Sequence, residues 1–188
     1  MLALLAFSGG YLARYQPLSA NGTGATWVDP LYATRLGDFA PPVGESFSAY
    51  RVRYEDGSSF SYAMTLHNEG PLPVTITSIG EAECRDCLSP LVFERSIVAP
   101  DGGTFQYDRE HATPFHGFVL QPGAYRYVVI ETRFDHCESY TPPGGVTYVS
   151  IPVAYRTWGL EHQVLLPMPY SLDVRIRGGG CPRGVQAA

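Results

Sequence analysis

The sequence predicts an all-β protein, a sandwich or barrel of short antiparallel strands. Three observations lead there. Apolar and polar residues alternate with period two in one segment after another, and no stretch carries the i, i+3, i+4, i+7 spacing of an amphipathic helix. Turn chemistry also recurs at short intervals, at Asp56-Gly57, Glu69-Gly70-Pro71, Pro100-Asp101-Gly102-Gly103, Gln121-Pro122-Gly123, Pro142-Pro143-Gly144-Gly145 and Trp158-Gly159.

Taken in order, the alternation places strands near 47–54, 58–67, 72–79, 89–98, 104–108, 115–120, 124–134, 147–158 and 162–177. In the second of these Phe60, Tyr62, Met64 and Leu66 share one parity and Ser61, Ala63 and Thr65 the other, the mark of a half-buried strand. Leu72, Val74 and Ile76 alternate with Pro73, Thr75 and Thr77. The longest run is Val164, Leu166, Met168, Tyr170, Leu172, Val174 and Ile176. Pro152, Pro167 and Pro169 fall inside strand patterns, where each removes a ladder donor, so they point to edges or bulges. Residues 1–26 read as the remnant of a signal or membrane anchor followed by a flexible stalk, 27–46 as an irregular arm broken at Pro41-Pro42, 47–178 as the folded domain and 179–188 as a tail.

The chain has 188 residues, 45% of them hydrophobic, enough for one ordinary core. Charged residues are only 16%, against about 25% in typical soluble domains. With 18 acidic and 13 basic residues the net charge is -5. No basic stripe is present to neutralise a phosphate backbone, which excludes nucleic acid as an expected partner. All the basic residues are Arg, as codon bias in a GC-rich bacterial genome would produce. Met1 to Phe7 is apolar and extends weakly through Tyr11, Leu12 and Ala13, too short to span a bilayer alone and without the positive start of a signal peptide. The expectation is a protein exported to the cell envelope, secreted or anchored to the membrane by its N-terminal segment, whose native product carries more apolar residues upstream.

Two segments carry a resemblance. One strand ends in Asn68-Glu69-Gly70, the next opens with Pro73-Val74-Thr75-Ile76, and a later Leu120-Gln121-Pro122-Gly123 turn leads into Ala124 to Ile130. Over roughly residues 45–178 this resembles bacterial extracytoplasmic immunoglobulin-like domains. The resemblance implies an immunoglobulin-like antiparallel β-sandwich of about seven to nine strands. It implies envelope-exposed binding, adhesion or assembly, and supplies no catalytic residue, because its motifs are turn and core residues.

Four cysteines, Cys84, Cys87, Cys137 and Cys181, favour two disulfides outside the reducing cytoplasm. Counting strand directions brings the loops that hold them to one end of the fold, so Cys84 and Cys87 are each expected to pair with a distant partner, one with Cys137 and one with Cys181. The alternative is a metal or thiol-redox site that draws on the same four cysteines and His136. Among the remaining histidines, His67, His111, His116 and His162, the pair His111 and His116 sits in a Pro-containing loop but meets no recognised ligand spacing, and Met64 and Met168 have core parity. Asp86, Glu94, Asp135 and Glu138 could pair as acid and base, but no locus supplies nucleophile, base and oxyanion donors together. The expected function is therefore non-enzymatic, without cofactor, with a protein or cell-wall glycan as partner. Tyr50, Tyr54, Tyr107, Tyr125, Tyr127, Tyr140, Tyr148, Tyr155 and Trp158 exceed what one core usually holds, and the surplus is of the kind found on recognition surfaces.

Overall fold

The computed structural model describes residues 15–20, 26–39, 47–80, 90–98, 115–136 and 144–176. Every regular element among them is a strand: β1 Leu18–Ser19, β2 Trp27–Val28, β3 Ala33–Phe39, β4 Phe47–Arg53, β5 Ser59–Asn68, β6 Val74–Ile79, β7 Leu91–Val98, β8 Phe118–Leu120, β9 Tyr125–Phe134, β10 Gly144–Thr157 and β11 Leu160–Ile176. The protein is all-β. One sheet runs β1-β5-β9-β7 with β2 also pairing β5, and the other runs β3-β4-β11-β10-β6-β8.

The two sheets share one core because period-two alternation turns one face of each toward the other. Phe60, Met64 and Leu66 of β5 and Ile130 of β9 meet Ile76 of β6, Val153 and Tyr155 of β10 and Tyr170, Leu172 and Val174 of β11, all essentially without solvent contact. At about 1.5–3 kcal/mol for each fully buried large apolar side chain, this cluster is the main stabilising term. Two tyrosine hydroxyls inside it are partnered. Tyr170 Oη donates to Ala63 O at 2.9 Å, from one sheet to the other, and Tyr155 Oη donates to Tyr15 O.

The strand ends define two poles. At the first, β5 and β8 end, β6 and β9 begin, and the β10–β11 hairpin turns. At the second, β6, β9 and β11 end and β7 and β10 begin: Leu91 pairs with Phe134, Gly144 pairs with Ile176, and Leu91 N donates to Tyr148 Oη at 3.3 Å. The segments carrying Cys84, Cys87, Cys137 and Cys181 leave the described strands at this second pole. The cysteines themselves, like the strand expected at 104–108, lie outside the described residues.

The sequence reading needs two corrections near the N-terminus. Residues 15–20, assigned to the stalk, are part of the fold: Tyr15, Leu18 and Ala20 are buried and β1 pairs with the end of β5. Residues 27–39, assigned to an irregular arm, hold β2 and the seven-residue β3, which pairs along β4. A register shift between Arg35 and Gly37, with Gly37 at φ 126, resets the side-chain alternation of β3, so no period-two pattern survives in its sequence. Pro167 and Pro169 fall as expected, whereas Pro152 sits in the central strand β10 opposite Leu165, its carbonyl accepting from Gly80 N just past the end of β6. Pro167 and Pro169 occupy the part of β11 that precedes its parallel pairing with β4 from Tyr170 onward, next to the register shift between Tyr148 and Ser150 of β10.

Candidate functional site

Two surface features stand out, a cleft between the sheets and the tip of the longest hairpin. The cleft, of about 300 Å³, is lined by Thr77, Ser78 and Ile79 of β6, by Phe93, Glu94, Arg95 and Ser96 of β7, and by Phe115. Its existence follows from the strand lengths. β8 pairs only with Val74 to Ile76, so Thr77 to Ile79 extend past it, and β7 is the last strand of the opposite sheet. Each wall carries a register shift, at Ala154/Tyr155 opposite β6 and at Phe93/Arg95 in β7. Bulges of this kind re-aim side chains and are common beside binding sites.

The chemistry of the cleft is mixed. Thr77 and Ser78 supply hydroxyls, Phe93 and Phe115 aromatic surface, and Glu94 a carboxylate, while Ser96 lies buried behind them. Phe115 packs edge-on against Phe118 with centroids 6.0 Å apart. Arg95 reaches across the strand to Glu131 of β9, whose side chain is only 1% exposed. That buried carboxylate fixes the guanidinium, and loss of either partner would strand the other charge. Gly80 closes one end: its φ of 85 and the ring of Phe93, 2.8 Å from where a Cβ would stand, both require glycine.

The hairpin tip is Thr157-Trp158-Gly159-Leu160. Trp158 and Gly159 have φ of 50 and 79, the two positive values of a two-residue type I′ connection. Glycine adopts them freely, whereas a bulky aromatic residue there is an outlier that costs about 1–3 kcal/mol. Trp158 is 72% exposed. Thr157 Oγ1 donates to Pro73 O at 3.3 Å, and Arg156 pairs with Glu161 beside the turn.

The candidate residues from the sequence are dispersed. Met64 and Met168 are core, as their parity predicts. Glu94 lines the cleft, while Asp135 lies beyond β9, where the main-chain N–H of His136 and then the Arg133 guanidinium hold its carboxyl below the usual range. His136 itself has φ 59. His67 stacks on Tyr125 at 4.0 Å and lies 3.6 Å from Glu69, and His162 stacks on Tyr155 at 4.9 Å. Among the described residues no three His, Cys, Asp or Glu side chains are grouped as a metal site. Asp86, Glu138, His111, Tyr107 and Tyr140 lie outside them. Packing absorbs several of the aromatic residues: Tyr50 meets Tyr170 at 5.7 Å and Tyr54 meets Phe134 at 5.2 Å. Sequence reasoning missed the cleft, since Phe93 and Phe115 carry no surface signature before the sheets are assembled.

No family model and no curated protein matches the chain. Among solved structures it is similar, at 12% identity and a TM-score of 0.33, to a family 123 glycoside hydrolase from Clostridium perfringens studied for glycolipid glycan hydrolysis; the match covers 69% of this chain and 23% of that one. A likeness of this size carries no argument about fold or activity.

Proposed function

We propose that the chain is a non-enzymatic, immunoglobulin-like binding module of the bacterial cell envelope, tethered through its N-terminal segment and stabilised by disulfides. The strand order supports this architecture. In an immunoglobulin constant-type sandwich one sheet runs A-B-E-D and the other C-F-G. With β5, β6, β7, β9, β10 and β11 taken as B, C, D, E, F and G, the order β5-β9-β7 is B-E-D and β11-β10-β6 is G-F-C. The departures are β8, an extra strand beside C that the chain visits after D, and β3 and β4, which extend the same sheet beyond G with β4 parallel to it.

The observation that carries the binding reading is the cleft between β6 and β7, where the hydroxyls of Thr77 and Ser78 and the carboxylate of Glu94 meet the rings of Phe93 on β7 and Phe115 ahead of β8. That combination suits a protein segment or a cell-wall glycan, because hydroxyls and a carboxylate fix orientation while aromatic faces supply contact area. Titration of the isotope-labelled protein with muropeptides and with extended peptides from envelope proteins tests it. Saturable shifts confined to Thr77–Ile79 and Phe93–Ser96 are the expected result. Shifts elsewhere, or none with either class, contradict it.

A further inference from the structure

We infer that the β10–β11 hairpin tip is a bilayer-contact element that seats Trp158 in the lipid headgroup region and orients the module on the membrane. The inference rests on the anchored-module reading above and adds to it a face and a lipid partner. Its starting point is the backbone of Trp158. A two-residue connection of this type is normally met by Asn-Gly, and a bulky aromatic held at φ 50 while 72% exposed contributes nothing to the turn. Strained positions of this kind cluster where a side chain is used.

The neighbours of Trp158 agree. Of the eight exposed large hydrophobic residues among those described, Val119, Tyr125, Trp158 and Leu160 lie at the first pole, at 50%, 49%, 72% and 43% exposure. The N-terminal segment joins the domain at the same pole: Tyr15 O accepts from Tyr155 Oη, and Tyr15 Oη accepts from Leu72 N at 3.3 Å. The chain before Tyr15 is the apolar one, with Met1 to Phe7 and then Tyr11, Leu12 and Ala13. The segment expected to reach the membrane and the exposed tryptophan therefore leave the domain at one end. Charge fixes the kind of surface. Among the described residues Arg156 and Glu161 pair with each other beside the turn, so the tip itself presents no net cation to anionic lipid. The amphipathic indole of Trp suits the boundary between headgroups and acyl chains.

The test uses the full chain, phosphatidylcholine vesicles with and without brominated acyl chains, and the difference in emission between the wild type and Trp158→Phe, which removes the signal of Trp27. The expected result is a blue shift of the Trp158 emission on vesicle addition, quenching by brominated lipid, no loss of binding in high salt, and a several-fold weaker partition for Trp158→Ala. If the chain binds vesicles while Trp158 stays unshifted and unquenched, the inference falls and the anchored module stands. If the chain does not bind vesicles at all, the bilayer contact falls, while the tether, expected to need further apolar residues upstream, is judged separately by membrane fractionation of the native product. A Trp158 signal that responds to a protein from envelope extracts but not to lipid also overturns the bilayer contact.

Discussion

The side-chain amide of Asn68 donates to the main-chain carbonyl of Leu120 at 2.9 Å, joining the last residue of β5 in one sheet to the last residue of β8 in the other. The same Nδ2 donates to Leu72 O at 2.8 Å, and Oδ1 accepts from Gly70 N at 3.1 Å. The main chain completes the clasp, with Asn68 N donating to Ala124 O and Gly123 N to Asn68 O. Gly70 is needed beside it because a Cβ would stand 2.6 Å from Pro17 Cβ and also strike the Tyr15 ring.

Asn68→Ala removes three hydrogen bonds, the buried one to Leu120 O and the part-buried ones to Leu72 O and from Gly70 N. At roughly 1 kcal/mol or more for each, the substitution should cost about 3 kcal/mol of stability. Guanidinium unfolding measures it, with Glu69→Ala on the neighbouring exposed residue expected to stay within about 0.5 kcal/mol of wild type. Equal stability of the two variants would show that the clasp does not hold the sheets together.

The clasp also explains what was legible in the sequence. Asn68-x-Gly70 and Leu120-x-Pro122-Gly123 were readable as strand-ending and turn motifs because Gly123 takes φ 72 behind a proline and Ala124 N closes the turn on Gln121 O at 3.0 Å. The link between them was not, since 52 residues of chain separate the partners. Strands β5, β6, β10 and β11 were legible because their sequences alternate over most of their length, and β4, β7, β8 and β9 because short apolar runs lie between the turn signals. β3 was not, because its bulge at Gly37 breaks the period, and β1 and β2 are two residues each, too short to show one. The cleft escaped detection for the same reason as the clasp: its walls come from strands in different sheets.

Alkaline pH should unfold the protein cooperatively. Burial first, and the neighbouring phenol of Tyr148 second, push Tyr62 far above the usual phenol range, and burial does the same to Tyr170, with Tyr62, Tyr127 and Tyr50 adding to it. The folded chain keeps these groups protonated where the unfolded chain ionises. Their contribution is therefore whole below about pH 10 and is lost as the pH climbs toward the raised folded values. Tyrosinate absorbance and circular dichroism followed together should show one shared step. Smooth ionisation of every tyrosine with an unchanged strand spectrum would contradict it.

Non-reducing peptide mapping addresses the cysteines. The described strand ends that lead to all four converge at the second pole, where Asp135 N donates to Pro90 O at 3.3 Å and Gly144 pairs with Ile176. The expected bridges join Cys84 and Cys87 to Cys137 and Cys181, one each, with no thiol free under denaturing conditions. Their reduction should cost about 2–5 kcal/mol. A Cys84–Cys87 bridge refutes the pairing. Four thiols holding zinc or copper would turn the reading toward a metal or redox protein.

The most direct measurement of the binding claim is site-specific photocrosslinking in the cells that make the protein. A photoreactive residue is placed at Thr77 or Glu94, both exposed in the cleft, and, as a control, at Arg51 on the exposed face of β4. The account predicts a discrete adduct, with an envelope protein or with cell-wall material, from both cleft positions and none from Arg51. An adduct from Arg51 alone, or none from either cleft position while the protein is folded and exported, would contradict it.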